Sequence, residues 1–154
     1  MQSSTDVTFT TGYRYYVLGI LLVVNIFNFI DRSILAILLQ AIKQDLQFTD
    51  TQLGFLSGIA FAIFFSTFGI PIARLADRSS RVNIITVSLA VWSLMTALCG
   101  LAQNFWHLLA ARIGVSIGEA GGSPASQSLI SDYFPPEKRA TAISIFSLGI
   151  PLGG

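Results

Sequence analysis

The feature that most constrains this chain is the grouping of its apolar residues, which fall into separate blocks of about 20 residues or more. A block of that length matches the hydrocarbon thickness of a bilayer, where only a segment that satisfies its own backbone hydrogen bonds is stable. Five blocks are read, over 16–39, 51–73, 82–101, 105–134 and 140–154. The polar stretch 40–50, with Lys43, Asp45 and Asp50, reads as a loop, and Thr49 with Asp50 offers an N-cap for the second block. Gly54 and Gly58 there form a small-xxx-small pattern suited to close helix packing. Pro135-Pro136 stops the fourth block, because proline lacks an amide donor and clashes with the preceding turn. The fifth is still apolar at Gly154, so four complete spans and the start of a fifth are expected. Short links after the second, third and fourth blocks make neighbouring helices antiparallel. The fold class predicted is therefore an all-α, polytopic transmembrane bundle.

Charge and cysteine content narrow the function. Only 11% of residues are charged and 53% are hydrophobic, whereas a soluble domain carries about 25% charged residues. Basic residues sit at block ends and form no stripe, which excludes a nucleic-acid partner. Cys99 is the sole cysteine, so neither a disulfide framework nor a Cys-type metal site is expected, and it reads as packing. No cofactor or metal ion is called for. The first dozen residues are polar, include Asp6 and lack a basic cluster, so the first span is expected to be retained rather than cleaved.

Orientation follows from the basic residues near span ends. Under alternating topology Arg14, Arg74, Arg78, Arg81, Lys138 and Arg139 share one side, with Lys43 alone on the other. Such a bias places the N-terminus in the cytoplasm. Tyr13, Tyr15 and Tyr16 at one end, and Trp106 with His107 at the other, suit the headgroup belts.

Four ionisable residues lie inside the blocks: Asp31 and Arg32 in the first, Arg112 and Glu119 in the fourth. Each costs roughly 2.5 to 3.5 kcal/mol at a helix centre facing lipid, so each must face a partner or an aqueous cavity. On a helical wheel Asn25, Asn28, Asp31 and Arg32 occupy an arc of about 120°. Arg112, Ser116, Glu119 and Ser123 follow the spacing that keeps side chains on one helical face. At 1.5 Å per residue, Asp31 and Arg112 both lie about 10–12 Å below the outer ends of their spans, and Glu119 about 20 Å below. Contact between Asp31 and Arg112 is expected, with Glu119 as an alternative partner for the same guanidinium. One cation facing two anions makes a switch, because protonating either carboxyl changes which one holds it. Asp31, Arg112 and Glu119 are the candidate coupling and substrate-cavity residues. Asn25, Asn28, Arg32, Ser116 and Ser123 are candidates for the cavity wall or a gate.

The link between the second and third blocks reads Ala73-Arg-Leu75-Ala76-Asp77-Arg78-Ser-Ser80-Arg81. It resembles the loop signature of the major facilitator superfamily at Leu75, Ala76, Asp77, Arg78 and Arg81, with Ala73 and Ser80 standing where that signature has glycines. "NFIDR" in the first block, "ARIGVSIGEAGGSP" in the fourth and "SDYFPPEKRATA" before the fifth are similar to bacterial members of the spinster branch. The resemblance implies the N-terminal half of that superfamily's fold. It implies a conformational role for Asp77, Arg78 and Arg81, with Asp77 pairing with a helix of the second half. It implies also that Asp31, Arg112 and Glu119 line the central cavity. The general proton-antiporter signature is matched only at Arg112 and Gly118.

The expected function is proton-linked secondary transport of a lipid-like amphipathic substrate, a lysophospholipid or sphingolipid-like molecule, by alternating access. The alternative is a proton- or ion-coupled transporter of small organic anions, for which a cavity arginine is equally suited. Expected partners are that substrate, protons, membrane lipids and the C-terminal half of the same transporter, in a monomer. The expected location is a bacterial inner membrane, crossed several times. An intramembrane enzyme is disfavoured, because the sequence contains no GxGD or GxSxG text, metal-ligand cluster or P-loop.

The topology is testable in the full-length protein carrying Cys99→Ala. Ser79→Cys is expected to be shielded from impermeant thiol reagents added to intact cells, and Gln103→Cys to be labelled by them. The reverse pattern would invert the orientation.

Overall fold

The structure is a computed structural model that describes residues 10–154 and, of Asp77, the backbone alone. Among the described residues the regular elements are all helical. They are α1 (Thr11–Leu46), α2 (Asp50–Gly54), a π-helical turn (Phe55–Ile59), α3 (Ala60–Arg78), α4 (Arg81–Cys99), α5 (Phe105–Tyr133), α6 (Pro136–Ser147) and α7 (Gly149–Gly153). The expectation for the first dozen residues falls mostly on 1–9, outside the described residues.

α1 runs further than its apolar block, and the stretch 40–46, read as loop, is helical. Two causes are visible. Gln, Ala, Lys and Leu are good helix formers, and Ile42 and Leu46 pack against a buried cluster of Phe48, Leu53, Leu56 and Leu108. The helix stops at Gln47 in the left-handed region (φ 56°), where its N–H donates to the Lys43 carbonyl. Thr49 then caps α2 in a reciprocal capping box with Gln52, and the Lys43 ammonium meets the Asp50 carboxylate at 2.5 Å.

Among the described residues three helical stretches are long and apolar enough to cross a membrane: Thr11–Leu46, Asp50–Ala76 and Arg81–Cys99. α5 is of comparable length but is distinguished by burial, with thirteen buried residues that include Arg112 and Glu119. It packs against α4, α3, α1 and α6. The fifth block begins at Pro136, which starts α6 immediately after Pro135, earlier than its apolar text suggests. It is broken at Leu148, between α6 and α7. The break is tied to α1: the Asn25 amide donates to the Phe146 carbonyl at 2.8 Å, and the Ser33 hydroxyl donates to the Gly153 carbonyl at 3.3 Å.

Close helix packing is done by glycines other than those the sequence singled out. Gly54 and Gly58 have open space where a Cβ would lie. At Gly118, by contrast, a Cβ would fall 2.7 Å from the Trp92 nitrogen and 2.9 Å from the Ser88 carbonyl oxygen, both α4 backbone. α5 therefore sits against the α4 main chain at Gly118, one residue before Glu119. Two apolar clusters close the ends of the bundle. One contains Phe48, Leu56 and Leu108; the other joins Leu18 and Leu21 of α1 to Leu129 and Ile130 of α5 and Phe146 of α6.

Gly118→Val in the full-length protein is expected to lower stability by about 1–3 kcal/mol or more, since backbone cannot yield as a flexible side chain does. Gly19→Ala, where space is open, should be near neutral. Thermal unfolding of the purified variants measures both, and equal midpoints would show that the α4–α5 approach is not tight.

Candidate functional site

Between the two apolar clusters lies a layer of charge. Arg112, 5% exposed, stands on the buried face of α5, and its Nη1 lies 3.6 Å from Oδ2 of Asp31 on α1. Two turns further along α5, Glu119 is 4% exposed. Its Oε2 accepts from Nε of Arg32 at 2.9 Å and also from Nη2 of the same guanidinium. Each carboxylate thus has its own arginine. Glu119 was expected to compete with Asp31 for Arg112; instead Arg32, assigned only to the wall or a gate, takes that place. The reason is helical geometry: consecutive residues diverge by about 100°, so Asp31 and Arg32 leave α1 on different flanks and reach different levels of α5.

The pairing is incomplete. Asp31 Oδ2, Arg112 Nε and Glu119 Oε1 are buried without a hydrogen-bond partner among the described residues. At 3.6 Å the Asp31–Arg112 contact is an ion pair longer than an ordinary hydrogen bond. A buried charge with spare hydrogen-bonding capacity is costly.

The two pairs open into different cavities. Arg32 and Glu119 line one of about 200 Å³, together with Asn25, Asn28, Ser123 and Ser126. Asp31 and Arg112 line another of about 370 Å³ that continues to Asp45. Ser116, placed on the same helical face as Arg112 by its spacing, lines neither: it is fully buried and its hydroxyl donates to the Ile113 carbonyl at 2.8 Å. Cys99 half-faces the larger cavity and packs against the Phe48 cluster.

Four residues escaped the sequence reading. Arg32 lies over the rings of Phe29, Phe61 and Phe65, at 5.4, 5.0 and 5.8 Å from their centroids. Ser126 lies on the cavity wall. The only sequence signal for the rings was the i, i+4 spacing of Phe61 and Phe65, which an apolar span makes uninformative.

Of the signature residues in the α3–α4 link, Arg78 ends α3 and Arg81 begins α4, where its guanidinium pairs with Asp132 near the end of α5. The Asp77 side chain lies outside the described residues. His107 opens the first turn of α5, its backbone N–H donating to the capping Asn104 side chain at 3.0 Å.

Arg32→Gln leaves Glu119 buried without its cation. Because the Arg32 side chain is 37% exposed, the cost is expected to be about 1–3 kcal/mol, below that of a fully buried pair. Adding Glu119→Gln should recover part of it, since the stranded charge is gone. Strictly additive losses in thermal or denaturant unfolding of the full-length protein would show that Arg32 does not hold Glu119.

The Major Facilitator Superfamily profile matches residues 21–154. The chain is similar to a bacterial homolog of the human lysosomal transporter Spinster, seen in crystals in an inward-facing, unoccupied conformation: 46% identity, TM-score 0.91, covering 95% of this chain and 30% of that one. It is 36% identical to an MFS-type efflux pump of Mycolicibacterium smegmatis over 87% of its length and 31% of the relative's. It is 33% identical to a hexuronate transporter of Bacillus subtilis, over 87% and 32%. It is likewise 33% identical to the sphingosine-1-phosphate transporter SPNS2 of Danio rerio, over 88% and 27%. The chain thus spans about a third of the length of the relatives it matches. Its helical architecture, the match over nearly its whole length and the spinster-like neighbours lead to one conclusion: the chain belongs to the Major Facilitator Superfamily and has spinster-like relatives.

Proposed function

We propose that this chain contributes the N-terminal bundle, with four complete spans and part of a fifth, to a proton-linked secondary transporter of a lipid-like anionic amphiphile, a lysophospholipid or sphingolipid-like molecule. It would sit in a bacterial inner membrane with its N-terminus in the cytoplasm. The observation that carries the reading is the pair of carboxylates on facing helices, each held by a different guanidinium and each opening into its own cavity. An apolar bundle that needed only to be stable would be better served by hydrophobic residues at those positions.

The chemistry runs through Glu119 and Arg32. Ionised, Glu119 holds the Arg32 guanidinium by charge-assisted hydrogen bonds. A proton on Glu119 removes the charge and loosens that hold, leaving Arg32 at the cavity wall to receive an anionic headgroup. Asp31 and Arg112 repeat the arrangement at the second cavity. Rocking of two half-transporters about such a midplane site would then couple movement of the proton to movement of the substrate. Similarity to the sphingosine-1-phosphate transporter supports the lipid reading. A second reading, transport of small organic anions, is favoured by the hexuronate relative, since a carboxylate fits the same guanidinium.

Flux through the full-length protein in proteoliposomes tests both. Wild type should carry a labelled lysophospholipid, and faster with an imposed pH gradient than without one. Glu119→Gln keeps size and hydrogen bonding but cannot ionise, so it should bind substrate and lose the response to pH. Arg112→Lys should impair flux at least tenfold, because an ammonium cannot reproduce the planar guanidinium contacts. Flux of glucuronate in place of the lipid would decide for the second reading, and a wild-type pH response in Glu119→Gln would remove that residue from coupling.

A further inference from the structure

The two ion pairs share one aromatic ring. Phe61, near the start of α3, has the Arg32 guanidinium 5.0 Å from its centroid and that of Arg112 at 5.3 Å. Phe29 and Phe65 meet Arg32 alone among the described residues. Two cations attracted to one ring repel each other, and both draw on the same ring quadrupole, so the arrangement holds only while both have carboxylates elsewhere. Both do, Arg32 in Glu119 and Arg112 in Asp31. The ring's position is itself unusual. It follows the π-helical turn Phe55–Ile59, in which the Ala60 N–H donates to the Phe55 carbonyl across five residues. One extra residue in a turn rotates the helix beyond it by about 100° relative to uninterrupted α-helix. Uninterrupted α-helix would thus turn Phe61 away from both guanidiniums.

We infer that Phe61 is the positioning residue that couples the two ion pairs, its ring attracting both Arg32 and Arg112 so that release of one changes the hold on the other. It touches neither carboxylate, and it acts through the arginines. This role concerns the same charges that the proposed function uses, and the test below reads it without transport.

The experiment replaces Phe61 in the full-length protein with phenylalanines carrying one, two and three ring fluorines, introduced genetically, and follows thermal unfolding of the purified protein. Fluorines drain the negative ring face stepwise while shape and apolarity are nearly kept. The midpoint is expected to fall progressively, by about 2–4 °C across the series. In the Arg32→Gln/Glu119→Gln background, where only Arg112 still meets the ring, the slope should fall by about half. A flat series beside a lowered midpoint for Phe61→Leu would reduce Phe61 to packing and overturn the inference. A slope unchanged by loss of Arg32 would overturn the sharing of the ring. Lysophospholipid flux measured on the unsubstituted protein separates the two ideas, since its absence would sink the transport reading while the fluorine series still decides the role of Phe61.

Discussion

The arrangement depends on one constraint: Arg112 and Glu119 are carried into an apolar interior on a single helix, and neither is tolerable there alone. α5 can bury them because Gly118 lets it sit against the α4 backbone, which fixes its depth and rotation. With α5 so placed, α1 must supply an anion at the level of Arg112 and a cation within reach of Glu119, and Asp31 and Arg32 do so from adjacent positions. The polar layer and the helix packing are therefore one structural decision.

The apolar clusters at the two ends serve that layer. Phe48, Leu53, Leu56 and Leu108 tie α1, α2, the π turn and α5 at one end, and Leu18, Leu21, Leu129, Ile130 and Phe146 tie α1, α5 and α6 at the other. Burial of a Leu or Phe contributes about 1.5–3 kcal/mol against water but far less against lipid, so the value of these clusters is mainly in matched shape. They pack the helices together at both ends of a central layer whose charges are incompletely satisfied.

Asn25 shows a polar residue in a packing role beside the charged layer. It stands on the same arc of α1 as Asp31 and touches the smaller cavity, but its amide donates to a carbonyl at the break between α6 and α7. A Cβ on Gly149 would meet that amide nitrogen at 2.5 Å. α1 and the α6–α7 helix are thereby locked together, in line with the use of amides as glue between membrane helices.

By itself the sequence determined the all-helical class, the two helices that carry charge, and the level at which Asp31 meets Arg112. Those follow from block length and 1.5 Å per residue, which need no partner to be read. It misplaced the end of α1, because 40–46 is polar yet helical and its stop depends on packing against Phe48. Which glycines pack closely, Gly118 and not Gly54 or Gly58, was left to the tertiary structure, since spacing defines a face but not what it meets. So were the capture of Glu119 by Arg32, the retreat of Ser116 into the interior, and the placing of Phe61 between two arginines. Each of these depends on the rotation of one helix about its axis relative to another, and that angle is set by side chains interlocking across the interface.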